Sequence, residues 1–178
     1  ARVNTGKPLI VTFGHGAHGW MDGGAHTGSA VGVALGEERY ACDVLTLREM
    51  SAATLKVVRM RGDEIAAVLV NPLHGLLASP RGADASKSPS RAAAMAAEKA
   101  SGSATYRRWL HELRATCELA GVPLIFDESG TGFRLARGGA QEYFGVRADA
   151  VCYGKALGCG LPLGVLCGSA RLLANSAP

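Results

Sequence analysis

Val122-Pro123-Leu124-Ile125-Phe126-Asp127-Glu128-Ser129-Gly130 is a short apolar run that breaks off into two acids and a turn. Its β-branched and aromatic residues predict a buried strand, Val122 to Phe126, and the abrupt acids mark its carboxyl end. Open α/β sheets bind ligands outside the carboxyl ends of their strands, so Asp127 and Glu128 stand where a site is expected. A second run, Asp149 to Tyr153, predicts another strand, which leads into Gly154-Lys155-Ala156-Leu157-Gly158-Cys159-Gly160-Leu161-Pro162. Between the two lies one crossover's length of chain, with a helical turn or two expected over Gly139 to Phe144. A βαβ unit of this kind predicts that Asp127 and Lys155 share one edge of the sheet.

Lys155 lies in a turn of small residues with more apolar sequence behind it. That context suits an amine buried against a ligand, because burial disfavours the ammonium form and leaves the nucleophile of Schiff-base chemistry. An ordinary loop lysine is the other reading. A carboxylate and a lysine at one sheet edge are the two parts that pyridoxal phosphate requires. The acid keeps the pyridine nitrogen protonated, and the amine holds the aldehyde.

Several further motifs follow in order. Leu124-Ile125-Phe126-Asp127-Glu128, Thr131-Gly132-Phe133-Arg134, Gly138-Gly139-Ala140-Gln141-Glu142-Tyr143-Phe144-Gly145-Val146, Gly154-Lys155 and Gly160-Leu161-Pro162-Leu163-Gly164 resemble the class III pyridoxal-phosphate aminotransferases. The branch they resemble is the glutamate-1-semialdehyde aminomutase type, including aminotransferase domains associated with polyketide and nonribosomal-peptide synthases. The resemblance continues more weakly upstream, through 63–72 and 11–13 to His18-Gly19-Trp20-Met21-Asp22-Gly23. A poorly matched patch runs from about Ser79 to Thr105.

The resemblance implies a fold-type-I large domain, an α/β architecture with a mostly parallel sheet flanked by helices. It implies pyridoxal 5'-phosphate as cofactor, with Lys155 as the catalytic, cofactor-bearing residue and Asp127 on the ring nitrogen. Residues at the other cofactor-contacting positions are His18 and Gly19, Ser129 and His74. Some of these depart from the family. Ala17 stands where an aromatic ring stacks on the cofactor, Ser129 where an apolar residue packs on its other face, and Asn71-Pro72 where Glu-Pro is usual. His74 replaces a glutamine and retains hydrogen-bonding capacity toward the cofactor's phenolic oxygen. Glu128 is expected to orient the neighbouring loop. Implied partners are an amino donor and a keto or aldehyde acceptor, with a carrier-tethered polyketide chain as one candidate and a homodimer as the assembly. The family's phosphate-gripping loop would precede Ala1, and a threonine from the partner subunit and the small domain would lie beyond Pro178. The chain therefore reads as the central part of a large domain, over 1–178.

Composition agrees with an α/β protein. Of 178 residues, 48% are hydrophobic and 24 are glycine, enough for one core with many close backbone approaches. The formal charge of +4 is modest and its cations are scattered, which gives no support to a nucleic-acid or membrane partner. Five cysteines form no CxxC pair. Cys117, Cys152 and Cys167 sit in apolar runs and are expected as buried thiols, with a cytoplasmic location. Further strands are expected over Pro8 to Phe13, Tyr40 to Leu47, Glu64 to Val70 and Leu163 to Cys167. Helices are expected over Leu47 to Met60 and Tyr106 to Leu119. Ser79 to Ala104, without aliphatic anchors, reads as a surface insertion that is partly helical around Ser90 to Lys99.

Two other functions compete. Gly14, Gly16 and Gly19 satisfy G-x-G-x-x-G after a strand, with Glu37 or Glu38 at the distance of a ribose-binding acid, which suits an NAD(P)-dependent oxidoreductase. Against it, Met21-Asp22-Gly23-Gly24 is a poor helix start. A catalytically degenerate assembly domain is the third reading, favoured by Ala17 and Ser129. His15 and His18 lack a third ligand at convincing spacing, so no metal is expected. Arg134 and Arg137 read equally as anion ligands or as solvated loop residues.

Overall fold

The computed structural model describes residues 1–13, 44–47, 50–73 and 89–173, with side chains from 103 onward in the last of these segments. Six strands form one sheet: β1 (Leu9–Phe13), β2 (Val44–Leu47), β3 (Ile65–Val70), β4 (Leu124–Glu128), β5 (Ala150–Tyr153) and β6 (Val165–Gly168). Their spatial order is β2-β1-β3-β4-β5-β6, every pair parallel except the antiparallel β5–β6 edge. This is the mostly parallel sheet expected from the βαβ reading. The strand expected from Asp149 begins one residue later. The run expected from Tyr40 contributes Val44–Leu47, and 40–43 lie outside the described residues.

Helices pack on the sheet. After α1 (Arg2–Thr5), α2 (Ala52–Met60) starts where Ser51 N–H donates to Thr54 Oγ1 at 3.1 Å. The third helix, α3, runs from Pro89 to Leu119, well beyond the expected Tyr106 to Leu119. Alanine-rich sequence favours that extension, and proline is well placed as a first helical residue. The expected insertion is therefore continuous with α3 from residue 89, and 79–88 lie outside the described residues. Trp109 Nε1 of α3 donates to Ser51 O at 3.2 Å and ties the two helices together.

Strand alternation decides which faces are buried. Val11 and Phe13, Val68 and Val70, and Leu124 and Phe126 join Tyr106, Trp109, Leu110 and Leu113 of α3 in one core cluster. On the other face Ile10, Leu69 and Ile125 are half-buried, while Thr12 is buried. At the amino edge, Asp149 Oδ2 accepts from Arg114 Nη1 at 2.7 Å and from Leu124 N–H at 2.8 Å, which fixes β4 against β5.

The thiols diverge from expectation. Cys117 is buried, and its thiol pKa is pushed up to about 12 by that burial. Cys152 is half-buried and Cys167 exposed. Cys167 lies on β6, an edge strand that is exposed apart from the half-buried Val165.

Candidate functional site

Period-two alternation sends Asp127 and Glu128 to opposite faces of β4. Glu128 follows Phe126 toward the helices, whereas Asp127 follows Ile125 toward the half-buried face. The parallel register pairs Asp127 with Cys152 and Glu128 with Tyr153. Lys155 comes two residues past Tyr153, so the chain brings Asp127 and Lys155 to the same carboxyl edge.

Asp127 is 8% exposed. Its Oδ1 accepts from Ser129 N–H at 3.0 Å and from Ser129 Oγ–H at 2.7 Å. This Asx-turn geometry fixes the carboxylate's orientation. Ser129, which stands where the family places an apolar residue, thus has a definite polar role as the partner of Asp127.

Lys155 is not buried: it is exposed, as are Leu161 and Leu163 on the same loop. Apolar neighbours in sequence suggested an interior turn, but the loop lies on the surface with no described element over it. Lys155 holds φ 44°, a left-handed conformation uncommon outside glycine. A short 3₁₀ turn, Lys155–Gly158, follows, in which Leu157 N–H donates to Gly154 O at 3.0 Å. The lysine side chain lies along Gly130, its Nζ 3.3 Å from where a Cβ on that glycine would stand.

Glu128 is 1% exposed and carries the clamp that sequence reading anticipated for the loop. Its Oε2 accepts from Ala140 N–H at 2.9 Å, at the start of α4 (Gly139–Phe144). Burial raises the Glu128 carboxyl above the usual carboxylate range, and the Ala140 hydrogen bond opposes that shift. Tyr153 lies beside it, its phenol raised by burial and then by Glu128. Phe133 stacks on Tyr153 with centroids 5.1 Å apart and is itself strained at φ 63°. This cluster under the loop was not foreseen; the alternation of β4 and β5 was the signal that would have found it.

Arg134 and Arg137 are exposed. His18, Gly19, His74, His15 and the Gly14-Gly16-Gly19 loop lie outside the described residues. A cavity of about 430 Å³ lined by Arg114, Arg147, Asp149 and Ser169 opens at the opposite, amino edge of β5, away from Lys155. The donor set at the carboxyl edge fits pyridoxal phosphate: an oriented, largely buried carboxylate, a lysine amine, and a glycine that leaves room beside it.

Fold and site together define an α/β domain with an aspartate–lysine pair at the carboxyl edge of a mostly parallel sheet. The aminotransferase class-III family model matches residues 89–178, and the chain belongs to that family. A glutamate-1-semialdehyde 2,1-aminomutase from Hyperthermus butylicus is 32% identical over 186 aligned positions, covering 100% of this chain and 38% of that protein. Its counterpart from Thermomicrobium roseum is 34% identical over the same shares. Among solved structures, a transaminase with pyridoxal phosphate bound overlays with TM-score 0.70 at 25% identity, covering 97% of this chain and 37% of the other. An omega-transaminase from Sphaerobacter thermophilus gives 0.69 at 26% identity with the same coverage. The chain thus spans 38% of the length of these curated relatives.

Proposed function

We propose that the protein carrying this chain transfers amino groups with pyridoxal phosphate. The observation that carries the reading is the delivery of Asp127 and Lys155 to one sheet edge by β4 and β5. Family membership and the aminomutase relatives support it. When bound, pyridoxal phosphate supplies an aldehyde that takes up amino groups and a protonated ring that draws electrons from the adjacent carbon.

The chain's residues do the rest. Asp127, steadied by Ser129, would hold the proton on the ring nitrogen through its negative charge. Lys155 would hold the aldehyde through its Nζ, and the same amine would be the base that moves a proton between the substrate and cofactor carbons. Glu128 holds the loop that follows Asp127. His18, Gly19 and His74 complete the cofactor contacts in this reading. The acceptor is a keto or aldehyde compound, and the aminomutase relatives favour an aldehyde. A carrier-tethered polyketide acceptor rests on the branch resemblance alone.

A homodimer is part of the proposal. Leu161 is 75% and Leu163 48% exposed on the site loop, and Leu166 is 49% exposed on the adjoining strand, an apolar stretch that a second subunit would cover. Sedimentation at micromolar concentration is expected to give a dimer mass.

Borohydride reduction in the presence of pyridoxal phosphate, followed by peptide mapping, tests the function. The expected result is a pyridoxyl adduct on Lys155. Label spread evenly over Lys7, Lys56, Lys87, Lys99 and Lys155 defeats the reading.

A further inference from the structure

Four glycines lie on the segment from Asp127 through the first residue of α4, and three of them have structural reasons to be glycine. A Cβ on Gly132 would meet Tyr153 Cδ1 at 2.7 Å and the Glu128 backbone oxygen at 3.0 Å. One on Gly138 would meet Glu142 Oε2 at 2.8 Å, the atom that accepts from Gly138 N–H. Gly139 combines φ 72° with contacts to the buried Glu128 carboxyl. Gly130 is different. Its φ lies outside the left-handed region, so an alanine fits its backbone. The three atoms nearest its Cβ position all belong to Lys155: Nζ at 3.3 Å, Cδ at 3.7 Å and Cε at 3.9 Å.

We infer that Gly130 is a positioning residue for the Lys155 amine, its missing side chain providing the space along which the lysine lies. This rests on the function proposed above and deepens it. The contact with Nζ is closer than ordinary van der Waals contact, so any side chain at 130 moves the amine by some tenths of an ångström. The displaced group is the free end of a flexible exposed chain, so the displacement does not strain the fold. Its backbone cannot follow, because Gly154 and the strained Lys155 turn fix where the side chain starts. Reaction with an aldehyde held by the protein depends steeply on where the amine stands. Misplacement by about 1 Å costs on the order of 100-fold in rate. A small aldehyde arriving from solvent imposes no such requirement.

The test compares wild type, Gly130→Ala and Gly164→Ala in the intact protein. Gly164 is a control whose added Cβ would meet only the Tyr153 oxygen, at 3.9 Å. Two rates are followed by peptide mapping: borohydride trapping of pyridoxal phosphate on Lys155, and reductive methylation of Lys155 and Lys56 by formaldehyde. Gly130→Ala is expected to slow the pyridoxal phosphate trapping about tenfold. Methylation of both lysines should stay within about twofold, since formaldehyde needs no fixed geometry. Gly164→Ala should match wild type in both. Equal trapping rates in wild type and Gly130→Ala overturn the inference and leave the proposed function standing. Faster methylation of both lysines in Gly130→Ala signals a loosened fold and also overturns it. Absence of selective trapping in wild type removes the proposed function, and this inference with it.

Discussion

Gly139→Ala is the most demanding test of how the loop after Asp127 is held. Two separate penalties meet at this position. Gly139 has φ 72°, and an L side chain there costs about 1–2 kcal/mol. The new Cβ would also stand 2.7 Å from Glu128 Oε2 and 2.8 Å from Oε1. Glu128 is fully enclosed, so its carboxyl can yield only by leaving Ala140 N–H. An unsatisfied buried donor costs about 1–3 kcal/mol. The expected destabilisation is therefore about 2–5 kcal/mol. Gly121→Ala provides the comparison, since Gly121 has φ 62° with nothing within 4 Å of its Cβ position. It should lose only the backbone part, about 1–2 kcal/mol. Urea unfolding followed by circular dichroism measures both, with the slope checked for constancy. In a Glu128→Ala background the contact is gone, and the cost of Gly139→Ala should fall to that of Gly121→Ala. Equal losses for the two glycine variants in the wild-type background, or an unchanged Gly139→Ala cost without Glu128, would refute the clamp.

In the proposed function, Asp127→Asn keeps the shape but removes the charge that would hold the ring proton; trapping on Lys155 should persist while turnover falls by about 100-fold or more. Near-normal turnover would reduce Asp127 to a structural strand-end residue. Lys155→Gly should raise stability, relief of about 1–2 kcal/mol of left-handed strain outweighing about 0.5–1 kcal/mol of added chain entropy. Lys155→Ala keeps the strain, and calorimetry showing the two variants alike would contradict the argument. Glu128→Gln should abolish a pH dependence of stability. Burial raises the folded-state pKa of Glu128 above its ordinary 4.5, so the folded form binds the proton more tightly than the unfolded form. The stability tied to this group is full below the unfolded value and is lost as pH rises through the folded one. Unfolding free energies measured from acid to neutral pH should show wild type declining relative to Glu128→Gln, and parallel curves would count against a buried, proton-retaining carboxyl.

Much of the fold was legible because strands buried on both sides advertise themselves. Ile65–Val70 and Leu124–Phe126 are unbroken apolar runs, and a parallel β4–β5 pair follows from one crossover's length between Glu128 and Ala150. The length of α3 was not legible. Hydrophobic periodicity marks only the turns that touch the core, and 89–105 lack that signal although alanine favours helix. Burial of single residues was equally hidden. Lys155 and Cys167 sit in apolar sequence yet are exposed, because exposure depends on which other segments cover a loop or an edge strand.

Sequence alone determined the chemistry available at the site: an acid at the end of one strand and a lysine just past the next, in the order shared by class III aminotransferases. Local pattern suffices for that, since strand length and period are set by backbone geometry. Only the tertiary structure decided how those groups are held. It turned Ser129 onto Asp127, buried Glu128 against Ala140, laid Lys155 along Gly130 and left the lysine turn strained. The Glu128–Ala140 and Lys155–Gly130 contacts join residues far apart in sequence. Their distances are fixed by packing, which no single segment encodes.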